Sequence, residues 1–130
     1  MIDLDELHTY LSSLDIGMPI YLNLFPDELQ YSGNAENITN TVAFSLKTVE
    51  SNPVIERTNM RFLIRGEHPD NCVKAGTKII KQLDYRTNVI VGDTQIILFK
   101  AVDRTPEALG IDENKNNIYK VDVLITASPL

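Results

Sequence analysis

The chain has one cysteine, two histidines and no apolar run long enough to cross a bilayer, and each shortage removes a class of function. Cys72 alone cannot close an internal disulfide. It falls near the start of an expected helix, where a thiol pKa can drop, but a catalytic cysteine also needs a base. The only histidines are His8 and His68, and His68 sits in a turn four residues away with no orienting partner in view. The residues argue against cysteine catalysis and for a half-buried small side chain. The opening Met1-Ile2-Asp3-Leu4-Asp5-Glu6 is acidic and helix-patterned, without the basic and apolar regions of a secretory signal, so cytosolic synthesis and folding are expected. A basic cluster is missing too. The 18 acidic residues outnumber 12 scattered basic ones, for a net charge of −6, which argues against binding nucleic acid by neutralising phosphates. Fixed-period repeats and low-complexity tracts are absent.

What is present suits an ordinary globular protein. The 130 residues, 43% apolar and 23% charged, are enough for a single domain over residues 1–130 with one core. Leu4, Leu7, Leu11 and Leu14 form one helical stripe, with Asp3 as cap, Glu6 completing a capping-box-like pair and Gly17 and Pro19 beyond the end. A short extended run, Ile20 to Phe25, follows. Pro26 to Asn40 reads as a long surface connection.

Thr41 to Glu50 alternates, with Val42, Phe44 and Leu46 on one face, and Ser51-Asn52-Pro53 reads as a turn into a strand over about 55–65 with Met60, Phe62 and Ile64 inward. Residues 69–84 pattern as a helix with Val73, Gly76, Ile79, Ile80 and Leu83 on one side and Lys74, Lys78 and Lys81 largely on the other. A mid-helix glycine costs about 1 kcal/mol relative to alanine, so Gly76 suggests a close approach to a sheet. Asn88 to Val91 and Thr94 to Val102 form a hairpin-like pair about Gly92-Asp93, the second strand apolar on both faces and therefore expected to be covered on both. Arg104 to Asn117 reads as a polar loop, and the strand from Ile118 to Ala127 puts Tyr119, Val121, Val123 and Ile125 on one face with Lys120 and Asp122 opposite. The expected fold is α+β: a mainly antiparallel sheet of four to five strands with two helices packed on one face.

The stretch Met60 to Asp84, MRFLIRGEHPDNCVKAGTKIIKQLD, runs from a strand through a glycine turn into a helix, an arrangement shared with many phosphate sites. Phosphate loops need several glycines. Here Gly66 stands alone, Pro69 removes a donor, and Glu67 and Asp70 place negative charge where an anion would sit. The stretch reads as a fold-setting corner in which Gly66 allows the turn and His68 or Asp70 caps the helix. Arg65, on the face opposite Met60, Phe62 and Ile64, is left as a residue that pairs with Glu67 or Asp70 or with a neighbouring subunit. Asp112-Glu113-Asn114-Lys115-Asn116-Asn117 has some calcium-loop residues, but its glycine, Gly110, precedes the run, which favours a solvated loop. Asn37-Ile38-Thr39 is a glycosylation sequon by pattern only. No catalytic triad, metal-ligand spacing or carboxylate pair stands out, so neither a cofactor nor an enzymatic role is expected.

The chain suggests assembly instead. Thr94 to Val102 is apolar on both sides, Leu63 and Leu124 fall on the outer face, and apolar sheet surface without a third layer is a signature of partners. The N-terminal LDELHTYLSSL, the strand-turn-helix MRFLIRGEHPDNCVKAGTKIIKQLD and the segment ALGIDENKNNIYKVDVLI together resemble the tail terminator or minor capsid families of long-tailed bacteriophages. That resemblance implies an α+β subunit at the head-proximal end of the virion tail, assembled in the host cytoplasm. There a homo-oligomeric, hexameric ring would sit on the last ring of the major tail tube protein, stop its growth and meet the head-tail connector or head-completion protein. DNA would pass through without specific binding, which the acidic balance suits. Leu109, Gly110, Ile111, Asp112 and Glu113 carry the family-like loop and, with Arg65, are the interface candidates. A head-completion or connector protein, and a small cytosolic enzyme or ligand-binding domain, are the alternative readings.

Overall fold

The computed structural model describes residues 2–23 and 40–129. The order is α1 (Leu4–Ser12), β1 (Ile20–Leu22), β2 (Thr41–Ser51), β3 (Glu56–Gly66), α2 (Pro69–Leu83), β4 (Thr87–Val91), β5 (Thr94–Ala101), β6 (Glu107–Ile111) and β7 (Asn117–Pro129). The architecture is α+β. Its sheet has seven strands, more than the four to five expected, and is mixed because β1 runs parallel to β2. Most of the connection expected over Pro26 to Asn40, with its sequon, lies outside the described residues.

The strands lie in the order β1-β2-β3-β7-β5-β4, with β6 also on β7. β7 is the spine. One of its edges pairs with β3 from Asn117 to Ala127; the other pairs first with β6, up to Lys120, and then with β5 from Val123. Helix α1 touches both β1 and β4, the two ends of the order, so the sheet curls about its helical side. The core is built on that side from Leu7 and Leu11 of α1, Ile79 and Leu83 of α2, and Val42, Phe44, Met60, Phe62, Ile64, Val121, Val123 and Ile125 of the strands. These are the inward faces that strand alternation marks.

Local chemistry explains the ends. Asp3 caps α1 by accepting from the Glu6 N–H at 3.0 Å. Asn52 closes the β2–β3 turn, its Oδ1 accepting from the Val54 and Ile55 N–H groups at 2.9 Å each. At α2 the expected side-chain cap does not form: His68 holds the N-cap position, but its backbone carbonyl accepts from Asn71 and Cys72, and Pro69 starts the helix. Gly66 is required by space and not by turn geometry, since a Cβ there would lie 2.9 Å from Cys72 Sγ and 3.0 Å from Asn40 Oδ1. The close approach at Gly76 is to Pro106 as well as the sheet. A Cβ would overlap Pro106 Cγ, stand 2.9 Å from Pro106 Cβ and reach Ile64 Cδ1 at 3.1 Å.

Three further expectations change. Val73 is 40% exposed, and Cys72 and Ala75 take the buried places on α2. Strand β5 is not covered on both faces: a bulge at Ile97 turns Ile96 and Phe99 both into the core and leaves Ile97 largely outside. The polar stretch Arg104 to Asn117 contains β6, which makes a hairpin with β7.

Candidate assembly surfaces

Three surfaces lie outside the core: the convex sheet face, the β6–β7 hairpin and one flank of α2. On the convex face, register sets Arg61 of β3 directly opposite Asp122 of β7. The guanidinium donates twice to the carboxylate, Nε to Oδ1 at 2.8 Å and Nη2 to Oδ2 at 3.1 Å. Lys120 Nζ donates to Asp122 Oδ2 at 2.9 Å, to Asp103 Oδ2 at 3.1 Å and lies 3.0 Å from Glu107 Oε2. Asp103 also accepts from the Asp122 backbone N–H at 2.8 Å.

This cluster sits where β7 changes partner from β6 to β5, so the Asp103 carboxylate satisfies a backbone donor at the break between the two neighbours. Burial alone would push the Asp122 carboxyl up, but the hydrogen bonds from Arg61 and Lys120 hold it below the usual carboxylate range. Burial would likewise lower Lys120, and its bonds to Asp122, Glu107 and Asp103 outweigh that and raise it. Arg61 is raised by its hydrogen bond and charge contact with Asp122. Two cations hold three carboxylates together, and the arrangement braces the sheet. Leu63 and Leu124 flank it, half-buried.

The hairpin is the most exposed regular element. All five residues of β6 are exposed, Leu109 at 50% and Ile111 at 69%. Leu109 is the extra residue of a bulge, and Gly110 beside it has φ +139°, a conformation that excludes side chains. Asp112 closes the tip. Its Oδ1 accepts from the Asn114 N–H at 2.9 Å and the Asn116 N–H at 2.8 Å, and its own N–H donates to the Asn116 carbonyl. The run read as a solvated loop is therefore a hairpin turn that uses the Asp112 side chain internally. Glu113 remains exposed at the tip.

The third surface is basic. Lys74, Lys78 and Lys81 are exposed along α2, and a groove of about 300 Å³ lies beside it, lined by Ile16, Met18, Asn71, Lys74, Ala75 and Lys78 among others. Lys78 lies 4.0 Å from Asp15, an exposed pair of little energetic weight.

The structure separates the six interface candidates. Leu109 to Glu113 come together on the hairpin, with Asp112 occupied by its turn. Arg65 stands apart, 4% exposed and paired in register with Thr41, so its guanidinium is enclosed within the subunit. Missed in the sequence were Arg61 and the groove, both products of long-range pairing. Cys72 is fully buried, its Sγ 3.7 Å from the Asn117 carbonyl oxygen, and burial pushes its thiol up, away from nucleophile chemistry. Among the described residues, no group of three or more His, Cys, Asp or Glu is placed to hold a metal ion.

A curled α+β sheet with a projecting, exposed hairpin and a charge cluster that ties its strands together suits a structural subunit. A family model described as bacteriophage tail terminator protein matches residues 10–129, and the chain belongs to that family. No curated protein matches the chain. The family places it in the virion tail as a structural component, in agreement with the resemblance in its sequence.

Proposed function

We propose that the protein closes the phage tail tube: a hexameric ring of its subunits seats on the last ring of tail tube protein, ends polymerisation and forms the surface that meets the head connector. The observation that carries this reading is the family match over residues 10–129. It favours tail termination over a head-completion role or a small enzyme. The exposed hairpin with Leu109 and Ile111 supports it, because apolar side chains on a projecting edge strand gain by being covered. A closed ring needs two unlike patches on each subunit, so that one copy's first patch meets the next copy's second.

The net charge of −6 suits a ring whose channel lets DNA slide past, since like charges disfavour adsorption. Catalysis has no part in this role. Native mass spectrometry of the purified protein, alone and with tail tube protein, tests the ring. The expected species is a six-subunit ring, free or on the tube; a monomer that stays unbound to tube protein would overturn the reading.

A further inference from the structure

The hairpin and the α2 groove fit the requirement for two unlike patches. Their chemistry is complementary. The hairpin offers Glu113 free at its tip beside exposed Ile111 and Leu109, whereas Asp112 is spent on the turn. The groove offers two exposed ammonium groups, Lys74 and Lys78, with Met18, Ile16 and Ala75 as apolar lining. The tip's carboxylates, Asp112 and Glu113, outnumber its one exposed cation, Lys115. On the groove side Lys78 shares Asp15 at 4.0 Å while Lys74 is exposed, so in a chain of net charge −6 this helix flank is the natural seat for the tip.

Their placement is complementary as well. Gly76 of α2 faces Pro106, which leads into β6, so the hairpin leaves from that flank of the helix. Lys74 and Lys78 each stand two residues from Gly76, about 200° around a helix of 3.6 residues per turn. Groove and hairpin thus lie on opposite flanks of α2, and a subunit's own helix stands between them. Patches so separated pair between copies in a head-to-tail manner, the contact type from which a ring is built when the rotation between copies closes.

We infer that the β6–β7 hairpin of one subunit docks in the α2 groove of the next, with Glu113 against Lys74 and Lys78 and Ile111 covered beside Met18. This contact rests on the ring reading above and supplies its subunit interface. The partner is a second copy of this chain.

Charge reversal tests the contact in trans. Glu113→Lys and Lys74→Glu each alter an exposed side chain, and thermal melts should stay within experimental spread of the wild type. Each single variant should assemble about tenfold more weakly per contact, because like charges then face each other. Mixing the two variants should restore much of the assembly, since in an alternating ring of an even number of subunits each reversed hairpin meets a groove reversed at position 74 and each native hairpin meets a native groove, with Lys78 kept in both. Asp5→Lys, an exposed reversal on α1 away from both patches, should leave assembly unchanged. Rings that form equally well with either single reversal would overturn this contact and leave the ring reading standing. A wild-type protein that forms no ring, alone or on tail tube protein, would overturn both.

Discussion

Arg61 and Asp122 face each other across β3 and β7 with two hydrogen bonds of 2.8 and 3.1 Å, and Lys120 binds the same carboxylate from the side. The carboxylate is nearly buried while the guanidinium is half in solvent, so the pair gains from directed hydrogen bonds more than from bare charge. Asp122→Asn should destabilise the fold by about 1.5–3 kcal/mol, the range for hydrogen bonds to charged groups, as read by urea unfolding. An unchanged midpoint would show that the cluster is only decoration.

The same cluster predicts the acid limb of stability. The folded pKa of Asp122 lies below its unfolded value, so its contribution is full above that unfolded value, about 3.9, and is lost as pH falls through the folded one. Lys120 and Arg61 are raised, so theirs is full below their unfolded values and is lost only as strongly alkaline pH rises through the folded ones. Between about pH 5 and 2, wild-type stability should fall more steeply than that of Asp122→Asn. Parallel curves would contradict this assignment.

Gly76→Ala should reverse the usual helix rule. In an open helix the change stabilises by about 1 kcal/mol. Here the new methyl overlaps Pro106 and presses on Ile64, and overpacking of this kind costs about 1–3 kcal/mol. Adding Pro106→Ala should recover part of the loss in the double variant, a coupling that calorimetry can resolve.

Much of this fold could be read in the chain because its signals are local. The β2–β3 hairpin announces itself by alternation on both sides of an Asn-Pro turn, and α2 by its apolar spacing. Strand β6 escaped because none of its residues is buried, so no alternation marks it, and its glycine and acidic neighbours look like loop. Parallel pairing of β1 with β2 leaves no trace in composition. Arg61 and Asp122 are 61 positions apart, and only the β3–β7 register brings them together. The family-like loop was visible as a pattern, but that Asp112 serves the turn while Glu113 faces outward depends on backbone geometry.

Asp112→Ala tests that division of labour. Two backbone N–H groups lose their acceptor, at a cost of about 1–2 kcal/mol. The loss should appear as faster amide hydrogen exchange at Asn114 and Asn116, with the β2–β3 hairpin unaffected. Protection unchanged at the tip would show that the turn holds without its carboxylate.

Cys72 should behave as a core residue. Being fully buried with a raised thiol pKa, it should resist a thiol reagent at neutral pH in the native protein and react fully in denaturant. Rapid modification of the native protein would contradict its burial.

The central claim, that this protein ends tail-tube growth, is tested most directly by adding labelled protein to polymerising tail tube protein and imaging the tubes by electron microscopy. The account predicts label at one end only of each tube and elongation halted there. Tubes that lengthen at an unchanged rate, with label absent or scattered along the shaft, would contradict it.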